Sequence, residues 1–322
     1  MKIAIIDCKL SKDVLCESLH INNNIMIKSQ IPQEENRQLA HSSFVLNILE
    51  KYTTKPNLYI LYEIMSPKFP GKASYVMNAL LDIIDNDIPI VILSLVVYNN
   101  MLLTEFHKLC KRAKENNTLI FAAGNNEIES NSIPAIFPEV FGVGRGTFFE
   151  YPYYSYIGGN IQISGDCTPE FTKCSDGTYR LFGGTSKAVP KLIGVIQNAY
   201  SEGVNKFIDM ENYLKEKQIA NANEKEHTLA NSTLIKKSIL KKIAEIVNDF
   251  RNDTVLKYSD IKTNNKSTFE LLLNHKDIDK FLLQVFYAFN INVHLTDLNY
   301  YDFYTIYHLS QFIQNAQRGE NT

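Results

Sequence analysis

The sequence predicts a parallel α/β sheet flanked by helices, followed by a small all-helical domain. Short apolar runs alternate with amphipathic helical patterns through about the first two thirds of the chain, which is typical of a parallel sheet with crossover helices. Beyond Glu216 the only glycine is Gly319 and the apolar residues follow helical spacing alone. A length of 322 residues accommodates one large or two ordinary domains.

The strands are predicted from short apolar runs that suit parallel strands buried on both faces. They cover residues 3–6, 58–62, 88–95, 118–123, 140–144 and 161–164. The first helix is predicted at HSSFVLNILEKY, where His41 comes first and Phe44, Val45, Ile48 and Leu49 share one face. The same spacing predicts helices over residues 74–84, 102–116 and 186–200.

The composition also predicts where the domains divide. The polar stretch IANANEKEHTLANS lacks apolar periodicity and indicates a linker. We therefore expect a first domain over residues 1–215, a linker over 216–230 and a helical domain over 231–322. In that last domain we predict helices over residues 235–250, 278–289 and 304–316, with a loop over 252–267.

Charge and composition exclude several classes of function. A net charge of -2 gives no general attraction to nucleic acid or to a membrane surface. The most apolar run, residues 88–98, is too short to cross a bilayer. Met1 leads directly into KIAIID, so no signal peptide is predicted, and the five cysteines form no CxxC pair. We expect reduced thiols and a cytoplasmic protein. No calcium-loop spacing is present, and we expect neither a metal nor a cofactor.

Four polar residues lie where predicted strands end or helices begin. They are Asp7 in IAIIDCKL, His41 in HSSFV, Asn125 in IFAAGNN and Ser186 in GGTSKAVP. Each has an ordinary structural explanation when taken alone, since a serine or histidine at a helix start often serves as a cap. A serine at a helix N-terminus can also be a nucleophile, because the unpaired N–H groups there stabilise an oxyanion.

Together and in this order, the four segments resemble the subtilisin-like serine proteases, and the resemblance extends from residue 1 to about residue 205. The segments SIPAIFPEVFGVG and YSYIGGNIQISG resemble that family more weakly. The resemblance implies a triad in which Ser186 attacks a carbonyl, His41 takes its proton and Asp7 orients the imidazole. Asn125 would stabilise the oxyanion beside the backbone N–H of Ser186.

The resemblance also implies residues that bind the substrate. Ser94 and Leu95 in ILSLVV would lie beside an extended peptide, which would bind as an added strand, and Gly124 would line the same site.

The sequence departs from the family at several positions close to these residues. Cys8 and Lys9 follow Asp7 in place of Thr-Gly, and Ser42 replaces a glycine after the histidine. Val96 replaces a glycine after Ser94-Leu95, and Asn126 stands where an acidic residue is common. We expect these changes to reshape or restrict the cleft without removing a catalytic group.

The helical domain resembles an acyl or peptidyl carrier protein. Asp277 stands where that family has the serine that receives phosphopantetheine, so the resemblance implies a carrier fold without its cofactor that serves as a docking module. The alternative is a generic helical bundle that only stabilises the first domain.

Three functions remain open from the sequence. The first is an intracellular serine endopeptidase that cleaves a specific peptide or protein, with removal of a leader in peptide natural-product maturation as the suggested setting. The second is a binding protein that uses the protease fold as a scaffold. The third is acyl transfer by the same triad, as in ligation or cyclisation, which requires that water be kept out.

Overall fold

A computed structural model describes residues 1–21, 23–31, 40–97, 102–126, 132–148, 150–219, 235–250, 268 and 277–319. Its contacts divide the chain into two compact units. The first comprises Met1–Thr178 and Phe182–Glu224, and the second comprises Tyr179–Leu181 and Lys225–Thr322. The domain boundaries and the linker expected from the sequence stay predictions, since most of residues 216–230 lie outside the described part of the chain.

The first unit is built on an eight-stranded sheet with the order β2-β3-β1-β4-β5-β6-β8-β7. Every pairing is parallel except that of β7 with β8, which confirms the predicted fold class. The strands are β1 (Lys2–Cys8), β2 (Ile25–Ser29), β3 (Leu58–Met65), β4 (Ile90–Leu93), β5 (Leu119–Ala123), β6 (Phe141–Gly146), β7 (Tyr154–Tyr156) and β8 (Ile163–Asp166).

Helices cover both faces of this sheet. They are α1 (His41–Tyr52), α2 (Ala73–Asp85), α3 (Leu103–Glu115), α4 (Thr185–Ser201) and α5 (Phe207–Lys217). Alternate residues of β1 point to opposite faces. Ile3 and Ile5 pack in the core that contains α1, α4 and α5, whereas Ala4 and Ile6 pack in the core that contains α2 and α3.

The strand topology gathers polar residues at one edge of the sheet. Strands β1, β4 and β5 are adjacent and parallel, so their carboxyl ends meet. Asp7 lies at the end of β1, Ser94 directly follows β4, and Gly124 directly follows β5. Such an edge is where open α/β sheets bind their ligands.

Several of the described elements have weak signals in the sequence. Strands β2 and β7 and helix α5 were not predicted, nor was the two-stranded sheet of β9 (Glu170–Lys173) and β10 (Tyr179–Phe182). The predicted strand over residues 88–95 is shorter in the structure, because regular pairing ends at Leu93.

The edge strand β7 is covered by helix α5 and by the residues that directly follow that helix. The backbone N–H of Tyr156 donates to Gln218 Oε1 at 2.8 Å, and the carbonyl of Tyr154 accepts from the N–H of Ile219 at 3.1 Å. The Tyr154 hydroxyl donates to the carbonyl of Leu214 at 2.9 Å. Helix α5 and the residues after it therefore occupy hydrogen-bonding groups of the edge strand.

The second unit is helical where it is described. Its helices are α6 (Lys237–Asp249), α7 (Ile278–Phe289), the short α8 (Tyr300–Phe303) and α9 (Ile306–Ala316). Helix α6 packs against α7 and α9, and Val247, Phe281 and Ile313 are fully buried among them. The predicted loop over residues 252–267 lies outside the described residues, and the likeness to a carrier protein stays a prediction.

No helix in the described parts of the chain has the length and apolar character needed to span a bilayer.

Candidate active site

Asp7 and His41 form a close pair at the carboxyl edge of the sheet. Asp7 is 2% exposed at the end of β1, and His41 is the first residue of α1. The two Asp7 carboxylate oxygens lie 2.9 and 3.0 Å from His41 Nδ1. The N–H of Cys8 donates to Asp7 Oδ1 at 2.6 Å, which holds the carboxylate facing the imidazole.

This pairing determines which nitrogen of His41 can act as a base. A carboxylate only accepts hydrogen bonds, so Nδ1 carries the proton of the neutral ring and Nε2 keeps its lone pair. Burial by itself would lower the pKa of His41, but the charge of Asp7 and its hydrogen bond raise that pKa above its usual value of 6.5. His41 therefore has the tautomer and basicity of a general base.

The serines that follow His41 attach α1 to the loop that follows Asp7. Ser42 and Ser43 are fully buried. Ser42 Oγ donates to the carbonyl of Lys9 at 3.3 Å, and Ser43 Oγ donates to the carbonyl of Ser11 at 2.7 Å while accepting from its N–H at 3.0 Å. The side chain of Ser42 thus points into the loop after β1. Its hydrogen bond there helps to fix the start of α1, which carries His41, relative to the end of β1, which carries Asp7.

An aromatic residue that the sequence analysis did not single out contacts His41. The Phe182 ring meets the imidazole edge-on, with centroids 5.4 Å apart, and stacks on Phe44 at the same centroid distance. Phe182 is 8% exposed at the end of β10. The contact restricts rotation of the imidazole, and its only sequence signal is an aromatic residue directly before Gly183-Gly184.

Ser186 is the second residue of α4, and the turn before it is attached to the end of β5. The N-cap position is Gly184, whose φ of 79° favours glycine. The N–H of Thr185 donates to Asn126 Oδ1 at 3.0 Å, and the Thr185 hydroxyl donates to the carbonyl of Gly124 at 2.7 Å. Ser186 is therefore not the N-cap of its helix, and these two hydrogen bonds, one from the Thr185 backbone and one from its side chain, hold the turn beside the end of β5.

Ser186 and Ser94 exchange two hydrogen bonds. The Ser186 hydroxyl donates to the carbonyl of Ser94 at 3.0 Å, and the Ser94 hydroxyl donates to the carbonyl of Ser186 at 3.2 Å. The second bond has a local cause. Pro190 lies four residues after Ser186 in α4 and has no N–H, so the Ser186 carbonyl lacks its helical partner and Ser94 supplies one.

The structure therefore brings Asp7 to His41 and Ser94 to Ser186, but within the described residues no hydrogen bond joins Ser186 to His41. The Ser186 hydroxyl has one proton, and in this conformation it is directed to Ser94. Transfer of that proton to His41 requires that the hydrogen bond from Ser186 to Ser94 be broken.

Gly124 and Asn125 continue the edge next to Ser186. The N–H of Gly124 donates to the carbonyl of Val143 at 2.8 Å, and a Cβ on Gly124 would lie 3.2 Å from that same oxygen. The N–H of Asn125 donates to Ser132 Oγ at 2.6 Å. Asn125 is half-buried and immediately precedes Asn126, which contacts the Ser186 turn.

A cavity of about 530 Å³ opens beside residues 95–97. Its other walls are the end of β3, with Ile64 and Met65, and the start of α2. Leu95 and Val96 both line it, so the side chain at the position where a glycine is expected forms part of an apolar wall. No cluster of three or more His, Cys, Asp or Glu side chains suited to a metal ion occurs among the described residues.

Comparisons with known proteins give structural neighbours only. No family model matches the sequence, and no curated protein matches it. A lanthipeptide protease superposes with a TM-score of 0.51 at 15% identity, over 80% of this chain and 84% of that chain. The prenylagaramide maturation protease PagA superposes with a TM-score of 0.50 at 17% identity, over 66% and 80%.

Two further structures agree with these. The epidermin leader peptide processing serine protease EpiP from Staphylococcus aureus has a TM-score of 0.50 at 18% identity, over 65% of this chain and 67% of that chain. A cold adapted subtilisin-like serine proteinase has a TM-score of 0.53 at 18% identity, over 67% and 81%. These likenesses, with the strand order and the parallel pairing, show that this chain has a subtilisin-like fold.

Proposed function

We propose that the chain is a serine endopeptidase with Asp7, His41 and Ser186 as its triad. The observation that carries this proposal is the Asp7–His41 pair at 2.9 Å on the carboxyl edge of a subtilisin-like sheet. Ser186 at the start of α4, beside the ends of β4 and β5, supports it. The resemblance of all four sequence segments to the family supports the same assignment.

The proposed reaction uses this geometry directly. The Ser186 side chain rotates from Ser94 toward His41, whose Nε2 takes the hydroxyl proton as Oγ attacks the scissile carbonyl. Asp7 offsets the charge of the imidazolium and keeps its orientation. His41 then donates the proton to the leaving amine, and water releases the acyl group by the same steps.

The developing oxyanion needs hydrogen-bond donors near Ser186. In this proposal they are the Asn125 side-chain amide and the backbone N–H of Ser186, which lies in the positive first turn of α4. Removal of one such donor typically lowers kcat by about a hundred- to a thousand-fold.

The proposed substrate is an extended peptide beside Ser94, Leu95 and Gly124. Bound there as an added strand, it would place one apolar side chain in the cavity lined by Leu95 and Val96. Three of the structural neighbours are described as lanthipeptide, maturation or leader peptide processing proteases. We therefore propose leader removal from a peptide precursor, in the cytoplasm.

In the same proposal the helical unit recruits a protein partner or the substrate. Two apolar side chains one turn apart on α7 support this, since Leu283 is 45% exposed and Tyr287 is 89% exposed.

The first test is labelling by a serine-directed phosphonate, measured as intact mass. The wild-type protein should gain one adduct, while Ser186→Ala and His41→Ala should gain none although both stay folded. Incubation with a candidate precursor then separates the reactions, since hydrolysis adds one water to the summed product mass and ligation or cyclisation does not. Labelling that persists in Ser186→Ala would refute the triad.

A binding scaffold is the second candidate function, and the hydrogen bond from Ser186 to Ser94 favours it. A scaffold would bind peptide with the hydroxyl permanently directed away from His41. It predicts peptide binding with no adduct at Ser186 in the wild-type protein at any pH.

A further inference from the structure

Four charged side chains are buried between α1, α4 and the strands β8 and β9, and two further polar side chains contact them from α1. We call the whole group the buried cluster. Its buried members are Asp166, Glu170, Lys187 and Lys191, and Lys51 and Tyr52 lie at its more exposed margin. Lys187 directly follows Ser186 and has no exposed surface, while Asp166 is 2% exposed. Such burial of a lysine is rare and calls for an explanation.

Asp166 is the fixed point of the buried cluster. Lys187 Nζ and Lys191 Nζ each lie 2.7 Å from its Oδ2. Its other oxygen, Oδ1, accepts from the N–H of Thr168 at 3.1 Å and from the Thr168 hydroxyl at 2.8 Å. Because Asp166 is the last residue of β8, its contacts with Lys187 and Lys191 tie the first two turns of α4 to the central sheet.

Glu170 extends the buried cluster to α1. Its Oε2 accepts from the Tyr52 hydroxyl at 2.6 Å and from Lys51 Nζ at 3.0 Å, and its Oε1 lies 3.5 Å from Lys187 Nζ. Tyr52 is the last residue of α1, and His41 is the first. Lys191 Nζ lies 3.9 Å from the same Glu170 Oε1. The helix that carries the proposed base and the helix that carries the proposed nucleophile are thus joined through Lys187 and, one turn further along α4, through Lys191.

Stability alone does not account for the buried cluster. Desolvation of buried ions costs about as much as their attraction returns, and apolar residues of equal volume often stabilise a core as well or better. A cation in the first turn of a helix also opposes the macrodipole. The directed contacts of Lys187 therefore point to orientation of the helix start.

We propose that Lys187 is a positioning residue that fixes Ser186 by anchoring the first turn of α4 to Asp166 and Glu170. The catalytic part of this inference rests on the proposed function. Ser186 has little freedom to move when the side chain of the next residue, Lys187, is anchored at its far end. A displacement of about 1 Å at a reacting atom can lower the rate by about a hundred-fold.

Lys191 provides a matched control for the test. It shares the Asp166 oxygen and the charge of Lys187, but it lies one turn further from Ser186 and also packs on the rings of Tyr52 and Tyr153. In Lys187→Met the Asp166 carboxylate keeps Lys191, and in Lys191→Met it keeps Lys187. Each variant therefore removes the same charge without leaving Asp166 unpaired.

The experiment compares phosphonate labelling rates of the full-length variants, together with hydrogen–deuterium exchange over residues 183–189. We expect Lys187→Met to slow labelling by roughly ten- to a hundred-fold and to speed exchange in that segment. Lys191→Met should leave the labelling rate and the exchange rate close to those of the wild type. The thermal midpoint should fall in Lys187→Met and in Lys191→Met. Lys187→Gln keeps an N–H donor beside Asp166 and should recover part of the rate; it also serves if Lys187→Met does not fold.

Equal slowing by the two methionine variants, or wild-type labelling and exchange in Lys187→Met, would overturn the inference. The exchange measurement keeps the two proposals separate. A wild-type protein that does not react with the phosphonate contradicts the proposed function, while the exchange rates still decide whether Lys187 anchors the start of α4.

Discussion

At the scale of single residues, the candidate site depends on groups that fix one another in pairs. Asp7 fixes the tautomer and raises the pKa of His41, and Phe182 limits rotation of the imidazole. Ser94 compensates the carbonyl that Pro190 leaves without a helical partner. Each pair joins residues far apart in sequence, so the site exists only after the sheet has formed.

The pH dependence of labelling tests the Asp7–His41 pair. Labelling needs neutral His41, so its rate should fall as the pH drops through a midpoint above 6.5, because Asp7 raises the pKa of His41. In Asp7→Asn, burial still lowers that pKa while the opposing charge is gone, so the midpoint should move to lower pH. The plateau rate should fall by roughly ten thousand-fold.

The measurement is the second-order labelling rate between pH 5 and 9, with Asp85→Asn on the exposed face of α2 as the control. A midpoint in Asp7→Asn at or above the wild-type midpoint would contradict the assignment of Asp7.

At the scale of elements, the close packing of α4 on α1 positions Ser186 relative to His41. Gly194 in the middle of α4 permits this approach, since a Cβ there would lie 2.4 Å from the Tyr52 carbonyl oxygen. A backbone carbonyl cannot rotate away as a side chain would. The close spacing of the two helices therefore requires a glycine at this position, although glycine in the interior of a helix is destabilising.

Gly194→Ala tests this spacing. The helix propensity of alanine favours the variant by about 1 kcal/mol. Overpacking against a fixed backbone atom typically costs about 1–3 kcal/mol, so we expect a net loss of stability. Denaturant unfolding measures it, with Ser201→Ala at the exposed end of α4 as a control that should stay within about 0.5 kcal/mol of wild type. A stabilised Gly194→Ala would show that the two helices can separate without cost.

At the scale of the whole molecule, each unit has a core of its own. In the second unit the core lies between α6, α7 and α9, and in the first it lies on both faces of the sheet. Units with separate cores can unfold in separate transitions. The proposed chemistry uses residues of the first unit only.

A core substitution in each unit tests this division. Phe281→Ala in α7 removes a fully buried ring and should destabilise the second unit by about 3–5 kcal/mol. We expect it to leave phosphonate labelling of Ser186 near the wild-type rate. Ile193→Ala in α4 should destabilise the first unit by about 2–5 kcal/mol and remove labelling when that unit unfolds. Loss of labelling in Phe281→Ala at a temperature where the first unit is folded would contradict the division.

The sequence could predict the parts of this fold that local patterns encode. The apolar run before Asp7 and the helical face after His41 are local, and their positions at one sheet edge follow from parallel topology. The burial of Lys187 could not be predicted, because its partner Asp166 lies 21 residues earlier and a lysine in a helical pattern normally indicates a solvated position. Strand β2 and helix α5 have weak apolar patterns and depend on tertiary contacts.

The covered edge of the sheet has a consequence for self-association. An open edge strand offers its backbone groups to any extended chain, and this is a common route to aggregation. Gln218 and Ile219 occupy such groups on Tyr156 and Tyr154 of β7, so that edge is closed to a second molecule at these positions. For a protein proposed to bind extended peptides, these backbone groups of β7 therefore do not compete with the cleft as a site of strand addition.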